Sequence, residues 1–252
     1  MTAPTLSSRA APPMTRIGRQ ARFEALTLLR NGEQLLVAVL MPALAMLGLR
    51  YASVPDLGTP RLAVVVPGVL ALAVASTAFT GQAISTAFDR RNGVLRLMGT
   101  TPLGREGLLG GKTLAVVAVL TIHLVVLSIL GLALGWRPAL AQIAPALVTL
   151  TLGAACFVAL AMTVAGRLRA EAVLAVANAL WVAFLGLGLL LPTALLPSPL
   201  SSLARWLPSG ALGDAMRTSF DGGGWPLREW LVLALWTLAG TLAARRLFRW
   251  SD

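Results

Sequence analysis

Charged residues are sparse along the chain and cut it into six apolar segments. Sixteen uncharged residues lie between Glu33 and Arg50, 27 between Arg61 and Asp89, and 23 from Leu114 to Trp136. A further 29 separate Arg137 from Arg167, 33 separate Glu171 from Arg205, and 15 separate Glu229 from Arg245. Uncharged runs of about 18 residues or more mark membrane-spanning helices, because about 20 residues at about 1.5 Å each cross the hydrocarbon. The expected fold is an all-α polytopic membrane protein with six transmembrane helices, at about 34–50, 62–88, 113–136, 139–166, 172–196 and 226–247. The first and last segments are short and borrow flanking residues that snorkel. The fifth is too long for one crossing. Pro192, Pro197 and Pro199 break it, so the span is expected to end near Leu196. The remainder, 197–225, mixes apolar and polar residues and is expected to lie on or dip into the outer interface as short re-entrant helices.

Ahead of the first segment stands TRIGRQARFEALTLLR. At about 100° per residue, Ile17, Ala21, Ala25 and Leu28 share one face, opposite Arg16, Arg19 and Arg30, while Phe23 and Leu26 stray from it. This pattern predicts an amphipathic interfacial helix over 15–31, with Arg16, Arg19, Arg22 and Arg30 against the anionic inner leaflet. Residues 1–14, MTAPTLSSRAAPPM, have no apolar stretch of the signal-peptide kind and are expected to be a disordered tail. Residues 15–252 then form a single membrane domain.

Composition agrees with the pattern: 57% of the 252 residues are hydrophobic and 12% charged, against about a quarter charged in soluble domains. The net charge of +11 would point to nucleic acid in a soluble protein. Here its distribution gives another account. Six spans put both termini on one side, and 15 of the 21 basic residues fall there, with six on the other. That asymmetry follows the positive-inside rule and places the termini in the cytoplasm of a cell (plasma or inner) membrane, with no nucleic-acid partner. Tyr51, Trp136, Trp206, Trp225 and Trp230 collect at the opposite surface, as an aromatic belt does.

Reactive groups are scarce. The one cysteine, Cys156, permits neither an internal disulfide nor a cysteine-type metal site. No H-E-x-x-H or G-x-S-x-G is present, and no carboxylate lies well inside a span. The stretch GREGLLGGKT, 104–113, ends like a phosphate-gripping loop, yet the first glycine of G-x-x-x-x-G-K-[ST] would stand at Glu106. His123, in the third span, and Asn178, in the fifth, are candidates for a substrate path, since ionisable and polar groups at membrane depth are functional candidates; both also suit interhelical hydrogen bonding. An ion-coupled carrier would want buried carboxylates, so active transport would draw its energy from elsewhere.

The longest inner loop, DRRNGVLRLMGTTPLGREGLLGGK, has a short helical pattern over 89–100, with Val94, Leu97 and Met98 on one side and arginines on the other. Pro102 ends it. A short amphipathic helix of this kind fits a groove on a soluble partner. The loop resembles that of the permease subunits of ABC-type exporters, in the type-2 membrane-domain family that includes drug, polysaccharide and haem exporters. Asp89, Arg90, Gly93, Leu95, Thr101, Pro102, Arg105, Gly111 and Lys112 match; Val94 and Arg96 depart where Thr and Glu are usual. In the outer segment, LARWLPSGALGDAMR is similar to the family's Pro-containing stretch at Pro208, Asp214, Ala215, Met216 and Arg217.

The resemblance covers 16–249. It implies a drug- or antibiotic-exporter-like permease subunit, with two such subunits paired and two ATP-binding subunits docked on the coupling segment 89–103. Docking would involve Asp89, Arg90, Arg91, Gly93, Leu95, Arg96, Leu97, Met98, Thr101, Pro102 and Arg105. ATP and Mg would sit on the partner, with no cofactor and no catalytic site on this chain. Two other readings remain open from the residues alone: a self-sufficient channel or ion-coupled carrier, and a non-translocating assembly subunit.

Overall fold

The computed structural model describes residues 11–57, 60–222 and 224–247, so most of the expected N-terminal tail lies outside the described residues. Within them the chain is helical throughout, with no strand. Helix α1 is Pro13–Arg30, and a turn at Gly32–Leu35 leads into α2, Leu36–Tyr51. The central helix α3 is Leu62–Arg91, followed by the short α4, Val94–Gly99, and by α5, Gly104–Ala133. Then come α6, Ile143–Ala165, α7, Ala170–Leu189, the short pair α8, Ser198–Ala204, and α9, Pro208–Phe220, and last α10, Leu227–Leu247. Among the described residues five helices, α3, α5, α6, α7 and α10, are long and apolar enough to cross a bilayer, and α2 is a shorter apolar helix. The chain is a multi-pass membrane protein.

Helix α3 is the axle. Its sequence is apolar all round and rich in Ala, Gly, Ser and Thr; such a helix is buried on every side, and its small residues let neighbours approach closely. Accordingly 89% of its most apolar stretch is buried, against 39% for α5 and 17% for α10. A cluster of edge-on rings, Phe79 of α3, Phe157 of α6 and Phe184 of α7, locks the core at centroid separations of 5.4–6.3 Å. The outer helices turn Val117, Val125, Ile129, Leu147, Leu231, Leu235 and Leu238 outward, an apolar coat suited to hydrocarbon.

Three helix ends differ from the sequence pattern. The fifth span stops at Leu189 instead of near Leu196, because Leu187 and Gly188 leave helical geometry, Gly188 at φ +92°; glycine takes that conformation without the Cβ penalty. The third span begins at Gly104, ahead of the expected 113, so GREGLLGGKT forms its first turns. A helix leaves no glycine loop to wrap a phosphate. The second span runs on to Arg91 and turns only at Gly93, φ +70°. With about 45 Å of helix each, α3 and α5 outreach the hydrocarbon and project together at the basic end of the molecule.

Candidate functional site

Where α3 and α5 project, α1 lies against α5. Its half-buried face carries Ile17, Gln20, Ala21, Glu24, Ala25 and Leu28, while Arg19, Arg22, Arg30, Phe23 and Leu26 are exposed. The seat is made by glycine. A Cβ on Gly111 would come within 2.7 Å of Gln20 Cγ, and one on Gly110 within 3.7 Å of Ile17. Beside this seat, Lys112 Nζ donates to Asp89 Oδ2 at 2.5 Å and reaches Glu24 Oε1 at 3.1 Å. The Lys112 side chain is 5% exposed, that of Glu24 12% and that of Asp89 26%. One lysine, the only one in the sequence, thus ties α1, α3 and α5 together. Arg16 sits half-buried on the inner side of α1, where its Nη1 donates to the Pro102 carbonyl.

The remaining residues of the coupling segment divide between fold and surface. Arg90 is buried, donating through Nη1 to Ala165 O at 2.7 Å and through Nη2 to Leu168 O. It caps the carbonyl end of α6, where a cation is favoured by the helix dipole. Arg91 is exposed and pairs with Glu171 at 2.5 Å. In α4 the buried residue is Leu95, whereas Leu97 is 65% exposed beside exposed Arg96, and Met98 is half-buried. The apolar side expected from Val94, Leu97 and Met98 is therefore rotated, since Gly93 sets the entry angle of the helix. Thr101 closes α4 by donating to Met98 O and accepting from Leu103 N. Pro102 is exposed, and the Arg105 side chain lies outside the described residues.

At the opposite, capped end another buried cation holds α9. Arg217 donates to Gly188 O at 3.1 Å, Leu189 O at 2.9 Å and Asp214 Oδ1 at 3.2 Å. Burial draws its guanidinium down to about 10, with Asp214 countering, so it stays cationic at neutral pH. Asp214 also accepts from Thr193 N and Thr193 Oγ1, and buried Pro208 opens the first turn of α9. Here backbones touch. A Cβ on Gly213 would stand 2.1 Å from Gly188 O, and one on Gly68 of α3 2.4 Å from Leu190 O.

His123 and Asn178 line one cavity between these ends. It has about 50 Å³ of room and is walled by Leu28 of α1 and Asn31 just after it, Val37 and Ala38 of α2, Ser76, Thr77, Thr80, Gly81 and Ile84 of α3, and Val119 of α5. Two π-helical turns, Leu36–Leu40 and Ala75–Gly81, border it; such turns recur at functional sites. Sequence reasoning did not pick out Glu24 or Lys112 as site residues, nor Thr77 or Thr80. The signals were there: a lone lysine in an arginine-rich chain, and a Ser/Thr cluster in an otherwise apolar span.

A buried apolar axle, a polar junction beneath it and a capped far end define a helical multi-pass membrane protein. The family model described as ABC-2 family transporter protein matches residues 53–245, and the chain belongs to that family. No curated protein matches it. It is accordingly an ABC transporter permease, a membrane domain of a kind that lacks an ATPase site and generally pairs with ATP-binding subunits.

Proposed function

We propose that this chain is the membrane half of an ATP-driven exporter in the cell membrane, with both termini cytoplasmic. It moves a hydrophobic or amphipathic substrate, drug-, antibiotic- or lipid-like. Two copies of a separate ATP-binding subunit, holding ATP and Mg, dock on 89–103. The observation that carries this reading is the Lys112 junction beneath an exposed α4. Arg96 and Leu97 face outward, and Leu95 anchors the helix from behind. A push on α4 passes through Gly93 into α3 and through Pro102 and Arg16 into α1. Lys112, gripping Glu24 and Asp89, obliges α5 to follow.

A second permease copy is expected on α7. Its outward face carries Ala172, Ala175, Ala179, Ala183 and Gly186, with exposed Asn178 at the margin. Small residues at this spacing allow close helix packing, and an amide in lipid gains by finding a partner.

The test is extraction in mild detergent with Leu97→Asp against the native chain. Losing one apolar anchor of about 1.4 kcal/mol lowers recovery of the ATP-binding subunit about tenfold. Equal recovery would refute the docking surface. Uphill transport by the purified chain in ATP-free vesicles would overturn the whole reading in favour of an ion-coupled carrier.

A further inference from the structure

Two residues that line the central cavity each carry a buried polar atom with no partner among the described residues: His123 Nε2 and Thr80 Oγ1. Both residues are at most 5% exposed. The other ring nitrogen, Nδ1, is already engaged by Thr77 Oγ1 at 2.9 Å. Ser76 Oγ is likewise committed, donating to Leu72 O and accepting from Trp181 Nε1. So two buried side chains of the wall, His123 and Thr80, each keep an uncommitted polar atom among fixed neighbours. Leaving such groups buried and unsatisfied is unfavourable, so a partner that bonds them is stabilised.

The chemistry of these two atoms selects a ligand. Whichever tautomer Thr77 enforces, Nε2 is either a donor or an acceptor, and Thr80 Oγ1 is both. A hydroxyl, itself donor and acceptor, satisfies either arrangement; a carbonyl satisfies only one. Among the described residues no charged side chain lines the cavity, and against those residues a charged headgroup would be buried unpaired at a large penalty. The volume of about 50 Å³ takes one hydroxymethyl-sized end. Leu28, Val37, Ala38, Ile84 and Val119 supply apolar wall, and Asn178 lies exposed at its margin.

We propose that the His123–Thr80 cavity binds the hydroxyl end of a neutral, lipid-like amphiphile. This deepens the export reading by naming the substrate class, and it rests on that reading only for the transport role, not for the binding.

His123 is the only histidine in the sequence, which makes it its own reporter. The full chain, labelled with ¹⁵N-histidine, carrying a non-histidine affinity tag and held in phosphatidylcholine nanodiscs, is titrated with decan-1-ol, decane or decylammonium. Decan-1-ol is expected to move the Nε2 resonance saturably while the other two do not. Thr80→Val should weaken decan-1-ol binding about tenfold, the loss of one hydrogen bond, while Thr80→Ser binds as the native chain does. Equal responses to decane and decan-1-ol overturn the proposal, as does an Nε2 that answers only to bound water. If Thr80→Val fails to fold, the contrast between decan-1-ol and decane decides. The measurement needs no ATPase, so its failure leaves the permease reading standing, whereas loss of ATPase docking leaves the binding result untouched.

Discussion

Of the three cations buried among the described residues, Arg90, Lys112 and Arg217, Lys112 and Arg217 hold opposite ends of the molecule, and they do so differently. Arg217, at the capped end, spreads its bonds over the carbonyls of Gly188 and Leu189 and over Asp214, one turn away on its own helix. Around it Gly68, Gly188, Gly210 and Gly213 bring backbone against backbone. Lys112, at the basic end, binds only side chains, and both come from other helices. Backbone packed on glycine has no slack, so the capped end is a fixed joint. Three side chains meeting at one ammonium can part and re-form through rotamer changes, so the basic end can yield where the capped end cannot. On the proposed reading, in which a push enters at the basic end, this asymmetry lets that end give while the far end holds.

The largest effect is expected from Arg217→Met. It strands Asp214 and two helix-end carbonyls, and removing one partner of a buried charge pair costs about 3–5 kcal/mol. Thermal unfolding in nanodiscs measures it. Next comes Gly213→Ala, whose Cβ would lie 2.1 Å from Gly188 O; overpacking costs about 1–3 kcal/mol, and backbone cannot rotate away. Lys112→Met should cost about 1.5–3 kcal/mol, the scale of hydrogen bonds to charged groups, because Glu24 and Asp89 are partly exposed and can hydrate. Its signature is functional: ATP hydrolysis by the assembled complex continues while transport falls. If Lys112→Met unfolds the chain and Arg217→Met leaves it intact, the fixed and moving ends have been assigned the wrong way round.

The all-helical, membrane-crossing character of the chain was legible because it depends on long uncharged runs, a signal that survives any packing. The resemblance was legible because its residues cluster in two short stretches. What the pattern did not give was set by particular residues acting at a distance. Gly188 ends the fifth span by a backbone conformation, which hydropathy does not register. Lys112 read as a re-entry marker, since nothing in its neighbourhood announces Glu24, 88 positions away. Leu95 and Leu97 have equal hydropathy, and only the turn at Gly93 decides which is buried. His123 and Asn178 were visible as polar residues at depth; that they share a cavity follows from how α5 and α7 pack on α3.

Arg90 and Arg91 sharpen the comparison most finely, being adjacent, identical in type and expected from sequence to act alike. The structure separates them. Arg90 is buried on the carbonyls of Ala165 and Leu168, so Arg90→Glu would set a carboxylate against a helix's negative end and disorder the turn between α6 and α7. Its effect on a docked subunit would be indirect and would come with a fall in melting temperature. Arg91 is 50% exposed and its partner Glu171 66%; such a pair is worth less than about 1 kcal/mol. Arg91→Glu should therefore leave the melting temperature within about 2–4 °C of native, while still weakening recovery of the ATP-binding subunit through the altered surface charge beside α4. Measuring both quantities on both variants separates a residue that builds the joint from one that faces the partner. If Arg91→Glu recovers the subunit as fully as the native chain, the contact surface is confined to α4 and the residues after it.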